Sequence, residues 1–403
     1  MKRVVITGMG IVSCIGNSLE SVTHALRHSR PGIRYMPEYE ALGLRSRVAG
    51  IPDISTGPAI ERKHRRFMGD ASIYATHAMR QAVDDSRMTA STIADPRTAL
   101  IVGSGLGSPH RHEEALQILR TRGLDKLLPY YMPQVMSSTV SANLVHAFGI
   151  SGPSYSLTAA CATSAYCIGN AFDMIRHGIV DRAFVGGAEE VTWTTAVLFE
   201  AMGALSTRWN DQPHRASRPF DRARDGFVAG GGAGIIVLES EESALHRGAR
   251  IHAEMTGFGG ATQADDMVQP DLRGPARAMR AALASAGNPK IDYVNPHATS
   301  TPAGDAVELA AIRAVFPGRV PPISATKGLT GHTLGACSVH EAIFSVLMMN
   351  HGFVAASANL ESLDDAHRDM PVVRETTSAP VDVCMSNSLG FGGANASIVL
   401  AKY

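Results

Sequence analysis

Apolar and polar positions along the chain follow two alternating patterns, one typical of strands and one typical of helices. The strand-type segments are short runs rich in β-branched residues that end in glycine-rich turns, and the helical windows repeat apolar residues at spacings of three and four. The strand-type runs are 2–7, 98–105, 182–190 and 234–240, and the helical windows are 70–86, 161–177 and 272–286. This alternation predicts an α/β protein.

Parts of the second half of the chain repeat parts of the first. Segment 392–400, GGANASIVL, resembles segment 230–238, GGGAGIIVL, in its glycines and its closing strand. A strand that leads into a small-residue helix at 153–165 has a counterpart at 321–336. A degenerate repeat of this length indicates two related α/β halves that pack together, with a site expected at their junction. We place the halves at 1–245 and 246–403.

The composition indicates a compact protein without a general affinity for nucleic acid or membranes. Apolar residues make up 45% of the chain and charged residues 18%, as in proteins with a large interior. Basic and acidic residues number 37 each, so a charged partner must meet a local patch. The N-terminal residues do not resemble a secretion signal, and no apolar stretch reaches the ~20 residues of a membrane helix. We therefore expect a soluble protein.

The cysteines favour a reducing compartment. There are five of them and no CxxC pair, which argues against a disulfide framework and against a thiolate zinc site. The expected location is the cytoplasm. His110 and His112, followed by Glu113 and Glu114, form the one arrangement that resembles a metal site, and we interpret it as an exposed, charged helix start. No metal is expected.

Cys161 has the sequence surroundings of a nucleophile. It lies in SLTAACATSAYCIGNAF, where a strand passes into a helix rich in Ala and Ser. Free N–H groups and the helix dipole favour a thiolate at such a helix start, so we predict that the pKa of this thiol falls from about 8.5 toward neutrality. The same N–H groups are suited to hold an oxyanion. On this window alone, a small core residue is an equal alternative, and it is our interpretation of Cys14, Cys167, Cys337 and Cys384.

Two of the sixteen histidines follow short strands in loops that contain glycine or proline. His297 lies in YVNPHATSTPAGD and His332 in ATKGLTGHTLGA. A lone histidine in a loop is more often structural, but two of them together with a cysteine at a helix start favour a catalytic site. Neutral imidazoles that donate from Nε2 would stabilise an enolate forming on a thioester carbonyl.

The windows around these three residues resemble those of a known family. The chain is similar to the β-ketoacyl-acyl-carrier-protein synthases of the thiolase-fold superfamily, and most similar to the type I enzymes of bacterial fatty-acid synthesis. The similarity runs from KRVVITGMGIVS to SNSLGFGGANASIVL and rests on the motifs ACATSA, HATSTPAGD, KGLTGHTLGA and GFGG. It implies a thiolase-like fold of two related halves in five layers, αβαβα.

The resemblance also implies a ping-pong condensation in fatty-acid chain elongation. The family's Cys-His-His triad falls on Cys161, His297 and His332, and its lysine falls on Lys327. The Cys161 thiolate would take an acyl group from an acyl-carrier-protein thioester. Malonyl carrier protein would then lose carbon dioxide, and the resulting carbanion would attack the acyl-cysteine to give a 3-ketoacyl thioester. Substrates would arrive on the phosphopantetheine arm of the carrier, with no further cofactor.

Further positions match family residues around the triad. Phe391, in the glycine-rich loop near the C-terminus, matches a gating phenylalanine, and its N–H together with that of Cys161 would form the oxyanion hole. Thr299 and Thr301 match positions that hydrogen-bond the pantetheine arm. Glu308 matches a residue near the histidines that tunes charge. An ordinary glycine turn and plain turn chemistry for the threonines are the alternatives.

The strongest basic run, ERKHRRFMGD at 61–70, matches the carrier-docking region of the family. Arg62, Lys63 and Arg66 would pair with an acidic helix of the acyl carrier protein. A charged helix face in contact with water is the alternative. The family forms homodimers with the active sites near the interface, and the resemblance implies the same arrangement here.

Three rival functions agree with parts of this pattern. One is a ketosynthase of the same fold dedicated to a pigment, a polyene or another specialised acyl product. Another is a non-catalytic partner that shapes the chain-length pocket of an active ketosynthase, although such subunits typically lack the nucleophile that Cys161 supplies. Thiolase is the third, but its second cysteine, in a C-terminal Cys-Gly-rich motif, is absent here, where 386–388 reads SNS.

Overall fold

The computed structural model describes residues 1–403 and contains strands and helices in alternation. The strands are β1 Val4–Ser13, β2 Arg34–Tyr35, β3 Val48–Ala49, β4 Thr98–Gly103, β5 Ser154–Tyr155, β6 Arg182–Glu189, β7 Gly232–Ser240, β8 Ala253–Thr262, β9 Tyr293–Asn295, β10 Phe353–Val354, β11 Thr377–Ser378, β12 Val383–Gly390 and β13 Ala394–Ala401. The helices are α1 Leu19–Arg27, α2 Pro37–Ala41, α3 Arg62–Arg65, α4 Asp70–Ser86, α5 Ala90–Ile93, α6 Pro109–Arg122, α7 Tyr131–Val135, α8 Thr139–Phe148, α9 Thr163–Arg176, α10 Trp193–Ala201, α11 Glu241–His246, α12 Arg273–Ser285, α13 Pro302–Val315, α14 Lys327–Thr330 and α15 Cys337–His351. The three predicted helical windows correspond to α4, α9 and α12, so these predictions are confirmed.

Nine strands form one sheet in the order β5-β4-β6-β7-β1-β8-β13-β12-β9. The first five positions come from the first half of the chain and the last four from the second half. The two parts join only where Val4–Ile6 pairs with Ala253–Met255 in antiparallel fashion. Within each part the pairing is the same: a parallel pair, β4 with β6 or β9 with β12, followed by the antiparallel partners β7 and β1 or β13 and β8. The predicted relation between the two halves is therefore confirmed by topology.

The layers follow from which strands each long helix contacts. Helix α4 packs on β1, β6 and β7, and α12 packs on β8, β12 and β13. Helices α9 and α15 contact each other and strands of both parts of the sheet, so they form a central layer. The layers are thus helix, first part of the sheet, central helices, second part of the sheet, and helix, which is the predicted αβαβα arrangement.

Strand alternation explains how each sheet face finds its core. In β4, Ile101 faces the central helices while Leu100 and Val102 face the cluster around α4. In β13, Ile398 faces the centre while Val399 faces the cluster around α12. Side chains of a strand alternate between faces, so each part of the sheet is apolar on both sides and must be covered twice.

Two glycines let the outer helices approach the sheet closely. A Cβ on Gly10 of β1 would lie 1.9 Å from the carbonyl oxygen of Ala78 in α4. A Cβ on Gly259 of β8 would lie 2.3 Å from the carbonyl oxygen of Ala278 in α12. The two contacts occupy equivalent places in the two halves, which supports their common origin.

Helix α15 is the most enclosed helix of the central layer. Its residues from Cys337 to Met349 are all buried. A helix that is buried on all sides is normally apolar all round. This one nevertheless carries His340 and Glu341, so polar partners must lie beside them. No helix of the structure has both the length and the apolar character that crossing a membrane requires.

Candidate active site

A tight turn between β5 and α9 presents Cys161. Ala160 has a φ of +47°, in the left-handed region that non-glycine residues rarely adopt. The Thr163 hydroxyl holds this turn, because it accepts the N–H of Ala159 at 2.9 Å and donates to the carbonyl of Ala160 at 2.7 Å. Cys161 thus lies two residues before the first residue of α9 and remains only partly buried.

Backbone contacts fix the loop that carries His297. The carboxylate of Glu308, in α13, accepts the N–H of His297 at 2.8 Å and the N–H of Ala298 at 2.7 Å. Burial raises the pKa of Glu308 to about 7, while these N–H groups and the charge of Lys327 oppose the rise. The Glu308 carboxylate therefore holds the backbone of the loop after β9, and it makes no hydrogen bond to the His297 ring.

His332 follows the short helix α14 at a turn that requires glycine. Gly331 has a φ of +69°, and a Cβ there would lie 2.6 Å from the carbonyl oxygen of Val228. The N–H of His332 donates to the same carbonyl at 2.8 Å. The ring of Phe227 packs edge-on against the His332 ring, with centroids 5.5 Å apart. The imidazole is held in place by its backbone and by an aromatic wall.

The structure brings the three predicted side chains together. One sulfur or nitrogen atom each of Cys161, His297 and His332 lies within 4.8 Å of the others. The two imidazole rings stand nearly perpendicular at 88°, with centroids 5.0 Å apart. All three residues line one cleft of about 200 Å³.

Both imidazoles are neutral in this environment. Burial, followed by the nearby charge of Lys327, holds the pKa of His297 and that of His332 well below the usual value. Neither ring nitrogen of His332 has a hydrogen-bond partner, and Nδ1 of His297 has none either. Each buried polar group without a partner destabilises the folded protein by about 1–3 kcal/mol. A ligand that hydrogen-bonds these nitrogens would therefore bind favourably.

The predicted acidity of Cys161 is wrong. Burial raises the pKa of this thiol to about 12. The Lys327 charge and the N–H groups of Cys161 and Phe391 lower the pKa, while Glu189 raises it further, and burial outweighs the lowering contributions. The helix dipole acts mainly within the first turn, and Cys161 lies two residues before that turn, so its effect on the thiol is smaller than that of burial. The helix start therefore does not make this thiol a thiolate in the free protein.

Lys327 lies behind the histidines and does not line the cleft. Its Nζ lies 2.5 Å from Oε1 of Glu341 in α15, and both side chains are 2% exposed. Burial lowers the pKa of Lys327, but the carboxylates of Glu341 and Glu308 and the Cys337 thiol more than offset it, so the pKa is raised overall. The lysine is a fixed positive charge whose electrostatic effect lowers the pKa values of Cys161, His297 and His332 without direct contact in the cleft.

Phe391 lies where the strand β12 turns into β13. Its N–H and that of Cys161 both lower the pKa of the Cys161 thiol, so both lie near the sulfur. Gly390 allows this approach, since a Cβ there would lie 3.3 Å from the nitrogen of Cys161 and 2.7 Å from the carbonyl oxygen of Ala159. The Phe391 ring is 38% exposed and lies 6.4 Å from the ring of Phe199.

The two threonines and the basic run occupy different surfaces. Thr299 and Thr301 line the cleft, and their hydroxyl oxygens are 3.1 Å apart. Arg62, Lys63 and Arg66 instead line a separate surface depression that includes Arg65, Arg111 and Tyr130. The structure therefore keeps the basic residues out of the cleft.

Several residues of the site were not identified from the sequence. Phe199 and Phe227 wall the cleft, and Glu341 neutralises Lys327. Glu189 is fully buried at the end of β6, where it accepts N–H groups of Gly105, Leu106 and Gly335. A carboxylate inside an apolar run is a usable signal, and both glutamates have it; the phenylalanines do not stand out from ordinary core residues.

Comparison with known proteins gives matches over the whole chain. Residues 1–244 match the family model "Beta-ketoacyl synthase, N-terminal domain", and residues 252–361 match "Beta-ketoacyl synthase, C-terminal domain". The protein named 3-oxoacyl-[acyl-carrier-protein] synthase 1 of Escherichia coli (strain K12) is 49% identical over 404 residues, covering 100% of this chain and 99% of that protein. The protein of the same name from Haemophilus influenzae is 46% identical and covers 100% of both chains. The crystal structure of a beta-ketoacyl synthase from Burkholderia phymatum STM815 is similar at a TM-score of 0.95, with 36% identity and 100% coverage of both chains.

Proposed function

This chain belongs to the β-ketoacyl synthase family, and from that premise we propose how its cleft performs the family's reaction. The chain is an enzyme, a 3-oxoacyl-[acyl-carrier-protein] synthase of fatty-acid chain elongation. It condenses an acyl thioester with a malonyl thioester and releases carbon dioxide. The observation that carries the assignment of roles is the convergence of Cys161 and two neutral imidazoles in one open cleft.

In the first half-reaction, Cys161 takes the acyl group from the carrier. The sulfur attacks the thioester carbonyl, the new C–S bond forms, and the old C–S bond breaks to release the carrier thiol. Since burial raises the pKa of Cys161 to about 12, its proton must leave as the bond forms. His332, whose ring nitrogens have no partner in the free site, is the proposed acceptor, and it returns the proton to the departing thiolate.

The tetrahedral intermediate of this step carries a negative oxygen. We assign its stabilisation to the N–H groups of Cys161 and Phe391, which lie near the sulfur. Gly390 is what allows these two N–H groups to lie close together. Backbone N–H groups are held by the chain itself, so such donors need little reorganisation at the moment of reaction.

In the second half-reaction, the malonyl group loses carbon dioxide. The electrons of the broken C–C bond form an enolate whose oxygen accepts N–H groups from His297 and His332. This requires neutral imidazoles, and burial keeps both pKa values low. The enolate carbon then attacks the acyl-cysteine carbonyl, the C–S bond breaks, and Cys161 leaves as a thiolate that takes a proton from solvent in the cleft. Lys327 is a positioning charge that assists the thiolate and keeps the imidazoles neutral.

Thr299 and Thr301 are proposed to bind the pantetheine arm of the carrier, because their hydroxyls face the cleft that leads to the triad. Phe391 is proposed to gate that cleft. Its ring is exposed and joined to β12 and β13 by glycines, two of which, Gly392 and Gly393, have φ values of +74°. The acyl and malonyl groups need no further cofactor in this scheme.

The surface around α3 is the proposed docking site for acyl carrier protein. Arg62 has no carboxylate partner, and the guanidinium of Arg66 stacks on the rings of Phe67 and Tyr130 at 4.7 and 5.1 Å, which leaves its charge available. Lys63 is already paired with Glu61 at 2.8 Å and contributes less. Exposed basic groups of this kind steer an acidic partner and raise the association rate.

We also propose a homodimer. The strand β5 lies at the outer edge of the sheet, where its second edge has no partner strand. Helix α10 exposes Val197 and Leu198, and Met202, directly after the helix, is exposed as well. An open sheet edge and clustered apolar side chains are features that association with a second copy would cover.

Condensation assays test the function directly. Malonyl carrier protein is combined with a series of saturated and cis-unsaturated acyl carriers, and wild type is compared with Cys161→Ala. We expect condensation with the wild type only. Turnover that survives in folded Cys161→Ala would contradict the assigned nucleophile. A profile confined to one unusual acyl group would favour the specialised rival, and inactivity with every acyl carrier would favour the non-catalytic partner.

A further inference from the structure

The three reactive side chains of the cleft are also the donor set of a zinc site. We propose that the substrate-free cleft binds one Zn²⁺ ion through the sulfur of Cys161 and one ring nitrogen each of His297 and His332, and that the bound ion inhibits the enzyme. Thiolate and imidazole are the ligands that Zn²⁺ prefers in proteins. The inhibitory part of this inference rests on the proposed function, whereas the binding part does not.

The distances favour such a site. In a tetrahedral zinc site with Zn–S of about 2.3 Å and Zn–N of about 2.0–2.1 Å, neighbouring ligand atoms lie roughly 3.3–3.6 Å apart. The donor atoms of Cys161, His297 and His332 already lie within 4.8 Å of one another. The donor atoms, now at most 4.8 Å apart, need to approach by no more than about 1.5 Å to reach this spacing.

The imidazoles have free lone pairs. His332 is 3% exposed and His297 is 5% exposed. Even so, both ring nitrogens of His332 and Nδ1 of His297 lack a hydrogen-bond partner within the protein. Nothing in the chain therefore competes with a metal ion for these nitrogens.

The cleft gives the ion a route and a fourth ligand. Cys161 is only partly buried and lines the cleft together with both histidines. A water molecule from the cleft would complete the tetrahedron. Three protein ligands and one water is the arrangement of open zinc sites.

A second donor set lies deeper and fits less well. Atoms of His297, Cys337 and Glu341 are also within 4.8 Å of one another. Glu341, however, holds the ammonium group of Lys327 at 2.5 Å, and a cation beside it would meet that charge directly. The Cys337 thiol also donates to the carbonyl of Cys161 at 3.2 Å. The geometry therefore favours the outer set around Cys161.

Binding replaces the proton on Cys161 by the metal. A Zn–S bond forms, the thiol proton leaves to solvent, and the ion keeps one net positive charge beside Lys327. The lysine opposes this charge, and the thiolate offsets it. The sulfur lone pair needed for acyl transfer and the imidazole groups needed for the enolate are then all occupied, so neither half-reaction proceeds.

Cobalt substitution tests the site without any need for turnover. The full-length protein is titrated with Co²⁺, and the thiolate-to-cobalt charge-transfer band and the visible bands of tetrahedral Co²⁺ are recorded; Zn²⁺ affinity is measured by competition with a chromophoric chelator. We expect one Co²⁺ per chain with both features in the wild type. In Cys161→Ala the charge-transfer band disappears and Zn²⁺ affinity falls by about 100-fold or more, as expected for loss of a ligand.

Two matched variants assign the donors. Cys337→Ala removes the thiol of the inner set, and Cys384→Ala removes a buried thiol that belongs to neither set. Each variant is expected to keep the band and to change Zn²⁺ affinity by less than about threefold, because neither thiol supplies a ligand to the outer set. Absence of the band in folded wild type overturns the inference. So does a band that survives in Cys161→Ala and is lost in Cys337→Ala.

Activity measured in parallel separates this inference from the proposed function. Inhibition of condensation by Zn²⁺ that a chelator reverses supports both. Condensation without any cobalt band overturns the metal site alone, and a cobalt band on a protein that never condenses its substrates overturns the proposed function alone.

Discussion

The two central helices, α9 and α15, each begin beside a cysteine, and the two thiols differ in what they face. Cys161 precedes α9, lines the cleft and has the N–H of Phe391 nearby. Cys337 begins α15, is 1% exposed and donates its own hydrogen to the carbonyl of Cys161. Both helices occupy the central layer of related halves. A helix start is therefore not sufficient to make a nucleophile.

Acidity does not separate the two thiols either. Burial raises the pKa of both, and the charge of Lys327 lowers both. What differs is access to substrate and the presence of two N–H groups at the reacting sulfur. The nucleophile is defined by the surroundings in which a bond can form.

The largest expected effect separates two single variants, in which either Cys161 or Cys337 is replaced by alanine. Cys161→Ala is expected to lower kcat for condensation by at least ~10³-fold, because the covalent route is lost. Cys337→Ala is expected to cost less than about tenfold, since it removes only one donor to the Cys161 carbonyl. Steady-state condensation assays of both variants check this. Equal losses of kcat in the two folded variants would contradict the claim that only Cys161 is the nucleophile.

Removal of either cleft imidazole is expected to have the next largest effect. His297→Ala and His332→Ala should each lower kcat by about 10²–10⁴-fold, the usual contribution of such a group. His340→Gln is the matched control, because His340 is equally buried in α15 but does not line the cleft. Its expected loss is below tenfold, which rapid-quench assays would measure. If His340→Gln were as inactive as the two alanine variants, the loss of activity in all three would be due to disturbed folding and not to a missing catalytic group.

Gly390→Ala tests the N–H pair at the sulfur. The added Cβ would press on the Cys161 nitrogen and the Ala159 carbonyl, so the two N–H groups must separate. We expect kcat to fall by about 10–100-fold with little change in KM, in the range for loss of one oxyanion donor or less. Gly318→Ala, where a Cβ meets nothing within 4 Å, should leave kcat unchanged. A rise in KM alone would contradict the assigned role.

The acidity of Cys161 is open to a direct check. Since burial raises its pKa to about 12, the thiolate fraction should rise about tenfold per pH unit below that value. Alkylation of Cys161, followed by peptide mass mapping between pH 7 and 10 as the probe range, should therefore accelerate without a plateau. A plateau near neutral pH would restore the helix-start prediction in place of the burial effect.

The smallest expected effect concerns the docking surface. Arg66→Glu should raise KM for carrier-bound substrates by about fivefold, with less effect at high salt, and leave the KM for a pantetheine thioester unchanged. Lys290→Glu is the control, because the Lys290 side chain is 80% exposed. Lys290 also precedes β9, whereas His297 follows that strand, so the two lie at opposite ends of it. Equal effects of both reversals would favour general charge over a defined docking site.

Much of this architecture is accessible from sequence because it is local. The helical windows and the repeated glycine-strand segments predict α4, α9, α12 and the two related halves, since periodicity and turn chemistry act over neighbouring residues. The convergence of Cys161 with His297 and His332 follows from motif resemblance. No spacing rule would join residues so far apart in the chain.

The remainder depends on packing between distant elements. The acidity of Cys161 was mispredicted because desolvation depends on how α9, β12 and α14 close around it. The partner of Lys327 was missed because Glu341 lies on another helix, and only the burial of α15 makes their pairing necessary. Burial of this kind is a property of the assembled layers.

The most direct test of the central claim is the identity of the acylated residue. The enzyme is incubated with an acyl carrier thioester in the absence of malonyl carrier protein, digested, and analysed by peptide mass mapping. One acyl group per chain on Cys161, discharged by malonyl carrier protein in the wild type and retained in His297→Ala, is the predicted result. Acylation of Cys337 or another residue, or none in folded protein, would contradict the account.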